Sequence, residues 1–200
     1  KVIEWACDGL LEVSQSDVAM NAKLSINNKI TTSAIQEILV QSASNLISED
    51  RPNYQYVAAR LKIYALRKEV WGESDPPRLY DHLRKNKKIY DDCLLDSYSE
   101  SEIHKISKFI KHDRDYLFTH AGIEQMIDKY LICDRISKKI YETPQFLFIL
   151  VPMVLFKNQK NRIELIKEMY DYVSTFKINL PTPILAGVRS KLKFYSSCVL

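Results

Sequence analysis

The chain has 200 residues, four of them glycine, with 46% hydrophobic and 27% charged residues and a net charge of +4 at neutral pH. This length and composition predict a globular protein with a sizeable core, and the scarcity of glycine favours helices over a sheet of tight hairpins. The small, dispersed charge argues against a nucleic-acid-binding protein, because the one basic cluster, residues 84–88, is typical of a solvated helix end.

Three helices are predicted in the first part of the chain, and the first two are marked by apolar spacing and a cap. Apolar residues at helical spacing indicate a helix over residues 2–13, which a polar loop through residues 27–29 follows. Ser33 and Gln36 have the spacing of a capping box, so we expect the second helix to begin at Thr32–Ser33. The apolar face of that helix is expected to comprise Ile35, Ile38, Leu39, Leu46 and Ile47.

The third predicted helix has Pro52 in its first turn and runs to about Trp71. Tyr64 and Lys68 lie four positions apart on it and therefore share one face. Gly72 and the two prolines at 76–77 end this first module, so we predict a domain boundary near residue 73.

The second module is predicted to be helical as well. Its first helix covers residues 79–85, and Ser99 with Glu102 forms a capping box for the next. Thr143-Pro144 has the pattern of an N-cap followed by a first-turn proline and predicts the start of a buried helix. A further amphipathic helix is expected over residues 162–175.

Three stretches of the second module are predicted to be non-helical. Residues 130–133 and 139–142 are expected to form a small hairpin, and residues 180–189 an extended loop because two prolines lie two positions apart. From Leu192 the chain has the pattern of a strand that enters a sheet.

The longest apolar run, residues 146–156, is too short to cross a membrane. It has 11 residues and an internal proline, whereas a membrane span needs about 20 apolar residues. The cysteines at positions 7, 93, 133 and 198 show no CxxC pair and no metal-ligand spacing. We therefore expect reduced thiols, no bound metal and a cytoplasmic location, with Cys7 and Cys133 in the core.

Two groups of residues in the first 115 positions could bind a ligand, and each also has an ordinary structural explanation. His112–Asp115 ("HDRD") contains a His-Asp pair of the kind found in metal phosphohydrolases, but ion pairs that involve Asp113 and Arg114 are the simpler interpretation. Thr32, Tyr64 and Lys68 could offer a nucleotide a hydroxyl, an aromatic face and a cation. A helix cap, a core tyrosine and a surface lysine are the simpler explanation of the same three residues.

Two further candidates lie near the end of the chain. The prolines that flank Thr182 could hold its hydroxyl in a cradle for an oxygen anion, although such loops are also plain connectors. Cys198 could do redox chemistry if its thiol were accessible and a second thiol lay nearby, and a buried strand cysteine is the alternative.

Read together, six segments resemble the large, catalytic subunit of class I ribonucleotide reductases in order and spacing, across essentially the whole chain. They are "YQYVAARLKIYALRKEVWG", "PPRLYDH", "FIKHDRDYLFTHAGIEQMIDKYL", "IYETPQFLFILV", "YDYVSTFKINLPTPILAGVR" and "SSCVL". The most specific are "STFKINLPTPILAGVR" and "SSCVL". The resemblance implies the reduction of nucleoside diphosphates to deoxyribonucleotides.

The resemblance also implies roles for individual residues. Cys198 matches a cysteine that forms a disulfide with a distant partner when the ribose 2′-hydroxyl is reduced, and Thr182 and Ser197 match contacts to the substrate nucleotide. Thr32, Tyr64 and Lys68 match the ATP/dATP effector site of an ATP-cone. Gln36 departs from the histidine often found in that site.

The implied fold is mainly α in three parts. Residues 1–73 would be an incomplete ATP-cone, residues 74–190 the helical N-terminal domain, and residues 191–200 the first strand of an α/β barrel that this chain does not contain. The implied partners are a metal-containing small subunit that supplies the radical, the rest of the large subunit, and a thioredoxin- or glutaredoxin-type reductant. The isolated chain is expected to be inactive. A non-catalytic nucleotide-binding or assembly module, or half of a split reductase completed in trans, is the alternative.

Overall fold

The computed structural model describes residues 1–25, 30–134 and 136–192, and these residues fold mainly as helices. The α-helices are α1 (Val2–Cys7), α2 (Gln15–Ser25), α3 (Thr32–Ser44), α4 (Tyr54–Trp71), α5 (Leu79–Lys85), α6 (Cys93–Asp96), α7 (Glu100–Ser107), α8 (His120–Lys129), α9 (Pro144–Leu155), α10 (Arg162–Ser174) and α11 (Thr182–Gly187). A 3-10 helix covers His112–Leu117.

The mainly α fold predicted from the sequence is confirmed. Within the described ranges there is no β-strand, only the isolated bridges Tyr90–Ser190 and Cys133–Ile140. The strand predicted from Leu192 lies outside the described residues except for Leu192 itself. None of the described helices combines the length and the apolar character needed to cross a membrane.

The described residues form two compact units. The first comprises Lys1–Ser74 together with Asp115–Gln125, and the second comprises Asp75–Arg114 and the chain from Met126 onward. The predicted division into an ATP-cone, a helical domain and the start of a barrel stays a prediction, since compactness does not reveal what a unit binds.

In the first unit, apolar residues from α1 to α4 form one core. Its buried members are Ala6, Val18, Val40, Ala43, Tyr54, Val57, Ala58 and Leu61. The prediction of a helix over 2–13 was wrong in length, because α1 ends at Cys7, Asp8 turns to an extended backbone and Gly9 has φ +70°. Helix α2 was missed, because only Val18 and Ala22, four positions apart, are buried on it.

Helix α3 begins at Thr32 and α4 ends at Trp71, as predicted, but the cap of α3, its apolar face and the start of α4 differ from the predicted ones. The predicted Ser33–Gln36 capping box does not form, because Thr31 is the N-cap and its side-chain oxygen accepts from the Ala34 N–H at 3.2 Å. The predicted apolar face is confirmed in part, since Leu39 and Leu46 are partly buried against the core. The fully buried residues of α3 are Val40, Ser42 and Ala43, and Ile47 lies beyond its end and is exposed. Helix α4 begins at Tyr54, so Pro52 precedes the helix and does not lie in its first turn as predicted. The Pro52 carbonyl accepts from the Gln55 N–H.

In the second unit, the predicted helices are largely confirmed. Helix α5 has the predicted bounds, and α10 ends one residue before the predicted end. The Ser99–Glu102 capping box forms, with the Ser99 N–H donating to the Glu102 carboxylate at 2.9 Å and the Glu102 N–H donating to the Ser99 hydroxyl at 3.3 Å. Helix α9 starts after Thr143 with a proline in its first turn, and its residues 144–153 are all buried.

Three predictions about the second unit were wrong. Residues 182–187 are helical, because a proline is tolerated in the first turn, where backbone N–H groups have no intrahelical partner. The predicted hairpin is reduced to the Cys133–Ile140 bridge and a turn in which Asp134 accepts from the N–H groups of Ile136 and Ser137 at 2.9 and 2.7 Å. Cys133, predicted to lie in the core, is exposed.

Candidate functional site

In the first unit, Tyr64 and Lys68 lie together on one face of α4. The Lys68 ammonium nitrogen is 5.3 Å from the centre of the Tyr64 ring. Lys68 is exposed and Tyr64 is half-buried, so the cation is accessible beside a partly accessible aromatic side chain. This pair has the chemistry to hold an anionic group beside a planar ring, as a nucleotide requires.

Thr32, the third predicted effector residue, is the first residue of α3 and is exposed. Its hydroxyl is not the helix cap, since Thr31 caps α3 and also lies 3.1 Å from the Ser33 hydroxyl. In the described part of the chain, no hydrogen bond joins Thr32 to Tyr64 or Lys68. A bound nucleotide would therefore have to bridge α3 and α4, two helices that pack against each other.

Three aromatic rings, those of Trp5, Tyr64 and Tyr116, form a cluster in the first unit. The Trp5 ring lies 6.1 Å from the Tyr64 ring and 5.3 Å from the Tyr116 ring, in an edge-on arrangement with the latter. The guanidinium groups of Arg60 and Arg67 lie 5.5 and 5.8 Å from the centre of the Tyr116 ring. Cations and aromatic rings attract each other electrostatically, so the cluster holds α1, α4 and the 115–125 segment together.

Arg60 and Arg67 also bind oxygen atoms. Arg60 donates to the carbonyl oxygens of Ala6 and Asp8 at 3.2 and 2.6 Å, at the end of α1, where carbonyl groups lack intrahelical partners. Arg67 donates to the Asp115 carboxylate at 2.7 Å, and the two side chains are 9% and 0% exposed. The last residue of the "HDRD" motif is thus held in a buried ion pair.

The ion-pair interpretation of "HDRD" holds for one of its two predicted residues, since the exposed Asp113 makes no ion pair with the described residues and Arg114 does. This residue binds Asp171 at 2.8 Å and the Ser174 hydroxyl at 2.6 Å. Partial burial would raise the pKa of Asp171, but the Arg114 and Lys167 side chains outweigh it and hold that pKa below its usual value. Across the described ranges there is no group of three or more His, Cys, Asp or Glu side chains that could hold a metal ion.

In the second unit, Thr182 is the first residue of α11 and is exposed. Ser197 and Cys198, the other residues assigned to the substrate site, lie outside the described residues. The structure therefore describes one of these three positions, together with the segment from Thr182 to Leu192 that leads toward the other two.

That segment is held by a buried arginine, Arg189, which sequence reasoning did not single out. Its side chain is fully buried, as is that of Glu142. The Arg189 Nε donates to the two Glu142 carboxylate oxygens at 3.2 and 3.0 Å, and its Nη2 donates to the same carboxylate. Further donations reach the carbonyl oxygens of Leu185, in α11, and Tyr130, the latter at 2.7 Å.

Glu142 has two more donors. The Ile132 N–H donates to one carboxylate oxygen at 2.7 Å, and the Tyr90 hydroxyl lies 3.4 Å from the other. The Tyr90 hydroxyl is also 2.9 Å from Nε2 of His82. The side chains of His82, Tyr90, Glu142 and Arg189 therefore form a buried polar network, which we call the Arg189 network.

Burial and neighbouring charges shift two pKa values in this network. Desolvation, with a contribution from Lys85, lowers the pKa of His82 to about 4, so the imidazole is neutral at pH 7. Desolvation and the Glu142 carboxylate raise the pKa of Tyr90 well above its usual value, against an opposing effect of Arg189. The charge pair of the network is thus Arg189 with Glu142, and the two opposite charges neutralise each other.

Backbone bonds extend this support to the end of the described chain. The Asp91 N–H donates to the Arg189 carbonyl at 2.9 Å, and the Lys191 N–H donates to the Ile89 carbonyl at 3.1 Å. The Ser190 hydroxyl donates to the Leu192 carbonyl at 2.6 Å. In the sequence, Glu142 and Arg189 each lie beside an apolar stretch, which could have indicated that each is buried but not that the two pair.

The three described cysteines form no disulfide with one another. Cys7 was predicted to lie in the core and is half-buried, packed against the core of the first unit. Burial raises the pKa of its thiol, against the opposing charge of Arg60, so its thiolate form is disfavoured. Cys93 is half-buried and Cys133 is exposed.

Comparison with known proteins matches part of the chain to a family and the whole chain to individual relatives. Residues 116–193 match the family described as "Ribonucleotide reductase, all-alpha domain". The whole chain is 46% identical to ribonucleoside-diphosphate reductase 1 subunit alpha of Escherichia coli and to that of Salmonella typhimurium, and 41% identical to the subunit alpha of Enterobacteria phage T4. In each case the match covers 100% of this chain and 27% of the relative, so the chain spans about a quarter of the length of these proteins.

Proposed function

Because this chain is a member of the class I ribonucleoside-diphosphate reductase alpha subunits, matching their N-terminal region along all of its length, we propose that it contributes to the radical-based reduction of ribonucleoside diphosphates to deoxyribonucleotides. The observation that carries the proposal is the 46% identity over the whole chain. An accidental likeness of helical proteins would not extend over all 200 residues.

Within that reaction, we assign Thr182 and Ser197 to substrate binding and Cys198 to redox chemistry. When the substrate is reduced, the 2′-hydroxyl leaves as water, a C2′–H bond forms, and two thiols give up two electrons and become a disulfide. Cys198 supplies one thiol and the rest of the large subunit supplies the other. A thioredoxin- or glutaredoxin-type dithiol then reduces the disulfide by exchange, which requires that the sulfur be accessible.

The other thiols are weaker candidates than Cys198. Cys7 is disfavoured as a thiolate because burial raises its pKa. Cys93 follows two aspartates, whose negative charges oppose a thiolate. Cys133 is exposed and is the alternative that the experiment below has to exclude. The radical that starts the reaction is supplied by a separate, metal-containing small subunit, and this chain contributes binding and reducing groups.

The first unit is proposed to bind ATP or dATP as an allosteric effector through Thr32, Tyr64 and Lys68. The exposed Lys68 ammonium beside the half-buried Tyr64 ring fits a nucleotide, since one group attracts phosphate and the other offers a stacking surface. The proposed location is the cytoplasm, where the thiols stay reduced.

The proposal is tested by reconstitution. The chain is assayed with the remaining large-subunit sequence, on the same polypeptide or in trans, with the small subunit, a nucleoside diphosphate and a dithiol reductant. Cys198→Ser is expected to abolish turnover, whereas Cys7→Ser, Cys93→Ser and Cys133→Ser leave it largely intact. Normal turnover of Cys198→Ser would show that the redox assignment is wrong, and no turnover of the wild-type assembly would favour a non-catalytic binding module.

A further inference from the structure

The segment that joins the proposed substrate residues is held by a charge pair that has no contact with solvent. Thr182 begins α11, and Arg189 lies two positions after Gly187, the last residue of that helix. Ser197 and Cys198 follow Arg189 by eight and nine positions. Any group that holds the backbone around Arg189 in place therefore constrains the stretch between Thr182, proposed to bind substrate, and Cys198, proposed to do redox chemistry.

We propose that the buried Arg189–Glu142 pair is a positioning pair for the substrate site, which fixes α11, and with it Thr182, relative to the backbone that leads to Ser197 and Cys198. This inference rests on the proposed function. Neither Arg189 nor Glu142 is proposed to touch substrate.

Arg189 donates hydrogen bonds to three groups of the second unit. Its guanidinium group binds a carbonyl oxygen inside α11, the Tyr130 carbonyl oxygen and the Glu142 carboxylate. Because the guanidinium is planar and its donors point in fixed directions, the three acceptors are held in one geometry. A movement of α11 would break at least one of these bonds.

Glu142 accepts hydrogen bonds from three groups of the second unit. Its carboxylate accepts from Arg189, from the Ile132 N–H and from the Tyr90 hydroxyl. Tyr90 lies in the stretch whose backbone pairs with residues 189–191. Through Arg189 and Tyr90, Glu142 thus connects α11 with residues 89–91, whose backbone pairs with residues 189–191.

The substitutions that test the proposal change the hydrogen-bonding geometry or the charge of the pair and keep side chains of similar size. In the complete enzyme, Arg189→Lys keeps the positive charge but loses the planar fork, and Glu142→Gln keeps the shape but loses the negative charge. Lys191→Gln is the matched control, because Lys191 lies in the same segment and makes an exposed ion pair with Asp92 at 3.0 Å.

The readouts are KM for a nucleoside diphosphate, kcat, and the melting temperature. We expect Arg189→Lys and Glu142→Gln to lower kcat/KM by about 10- to 100-fold, the effect of a small misplacement of a binding group, with a higher KM. Lys191→Gln is expected to leave both constants unchanged. KM values indistinguishable from the wild type in folded Arg189→Lys and Glu142→Gln would overturn the proposal.

A double-mutant cycle with Thr182→Val separates positioning from a merely structural role. If Arg189 acts through Thr182, then Arg189→Lys with Thr182→Val is no worse than the stronger single variant, whereas independent effects multiply. Multiplying effects would overturn the proposal. An unchanged KM in Thr182→Val alone would instead contradict the proposed function, because Thr182 would then not bind substrate.

A second pair of substitutions covers failure to fold. Arg189→Met with Glu142→Leu replaces the buried ion pair by apolar groups, an exchange that buried pairs often tolerate. In this variant we expect faster amide hydrogen exchange in α11 and a raised KM. If neither this variant nor the single variants fold, the pair is structural only and the proposal is wrong.

Discussion

Both units contain a buried arginine–carboxylate pair, and the two pairs are built differently. Arg67–Asp115 in the first unit joins α4 to the 115–125 segment, and the Arg67 side chain is 9% exposed. Arg189–Glu142 in the second unit is fully buried on both sides and also binds two backbone carbonyl oxygens and a backbone N–H.

This contrast shows how each unit uses its polar groups. In the first unit two of the residues proposed to bind a ligand, Thr32 and Lys68, are exposed and lie outside the buried pair. In the second unit the buried pair supports the segment that begins with Thr182. Substitution should therefore separate binding from stability in the first unit and couple the two in the second.

The largest expected effect is that of Glu142→Ala. Removal of this carboxylate leaves the Arg189 charge buried without its carboxylate partner, which costs about 3–5 kcal/mol. Chemical denaturation of the 200-residue chain measures the free energy of unfolding. Glu168→Ala, at an exposed position of α10, is the control, and an equal loss of stability in both variants would contradict the network.

The next effect depends on pH and concerns His82. Its pKa in the folded protein is about 4, below the ordinary value of 6.5, so the unfolded chain binds a proton first as the pH falls. The contribution of this group to stability is therefore complete above about pH 6.5 and is lost between about pH 6.5 and 4. The loss is about 3 kcal/mol, at 1.36 kcal/mol per pKa unit.

The His82 effect is checked by unfolding the chain at several pH values. His82→Gln should flatten the pH dependence of the second unit in this range, and His104→Gln, at an exposed position of α7, should leave it unchanged. A wild-type stability that is constant across this pH range would rule out a neutral, buried His82.

In the first unit, Asp115→Asn should cost less than the loss of Glu142. The amide keeps an oxygen that can accept from Arg67, and the slightly exposed guanidinium retains some access to water. We expect a loss of about 1–3 kcal/mol in the free energy of unfolding, the usual cost of a weakened buried polar contact. Asp113→Asn, at an exposed position two residues earlier, is the matched control. A loss equal to that of Glu142→Ala would remove the contrast between the two pairs.

The sequence predicts the fold better where local chemistry decides the structure. The Ser99–Glu102 box and the Thr143-Pro144 start depend on residues three or fewer positions apart, and both were predicted correctly. Helix α2 was missed because its burial depends on tertiary contacts of Val18 and Ala22. Two prolines near Thr182 were taken as helix breakers, although proline is compatible with a first turn.

At the candidate sites, too, contacts were predictable only between residues that are close in sequence. Tyr64 and Lys68 share a face because they are four positions apart on one helix, so their contact was predictable. Two bonds of the Arg189 network, Arg189–Glu142 and Tyr90–Glu142, join residues 47 and 52 positions apart, and no local pattern encodes such pairs. The roles of the proposed site residues stay predictions, namely those of Thr32, Tyr64, Lys68, Thr182, Ser197 and Cys198.

A smaller effect is expected at the helix cap of α7. Ser99→Ala removes the hydroxyl that accepts from the Glu102 N–H, which costs about 1 kcal/mol at an N-cap. Ser99→Asp, which keeps a capping oxygen, is the control and should retain most of the stability. The free energy of unfolding from chemical denaturation measures both, and an unchanged value for Ser99→Ala would show that the cap contributes nothing in solution.

The smallest expected effect on stability is that of Lys68→Ala. The side chain is exposed, and contact between a lysine and an aromatic ring is worth about 0.5–1 kcal/mol at such a site. Ligand binding should respond much more, because the ammonium group is the cation proposed to attract the effector phosphates. We therefore expect calorimetry on the complete large subunit to show weaker ATP and dATP binding with near-wild-type unfolding.

Glu69→Ala, at the adjacent exposed position, is the control for Lys68→Ala and should change neither nucleotide affinity nor stability. Unchanged nucleotide affinity in Lys68→Ala would remove this residue from the proposed effector site. The first unit would then contain a buried ion pair without the binding residue proposed to lie outside it. The comparison of binding groups with buried pairs would be left to the second unit alone.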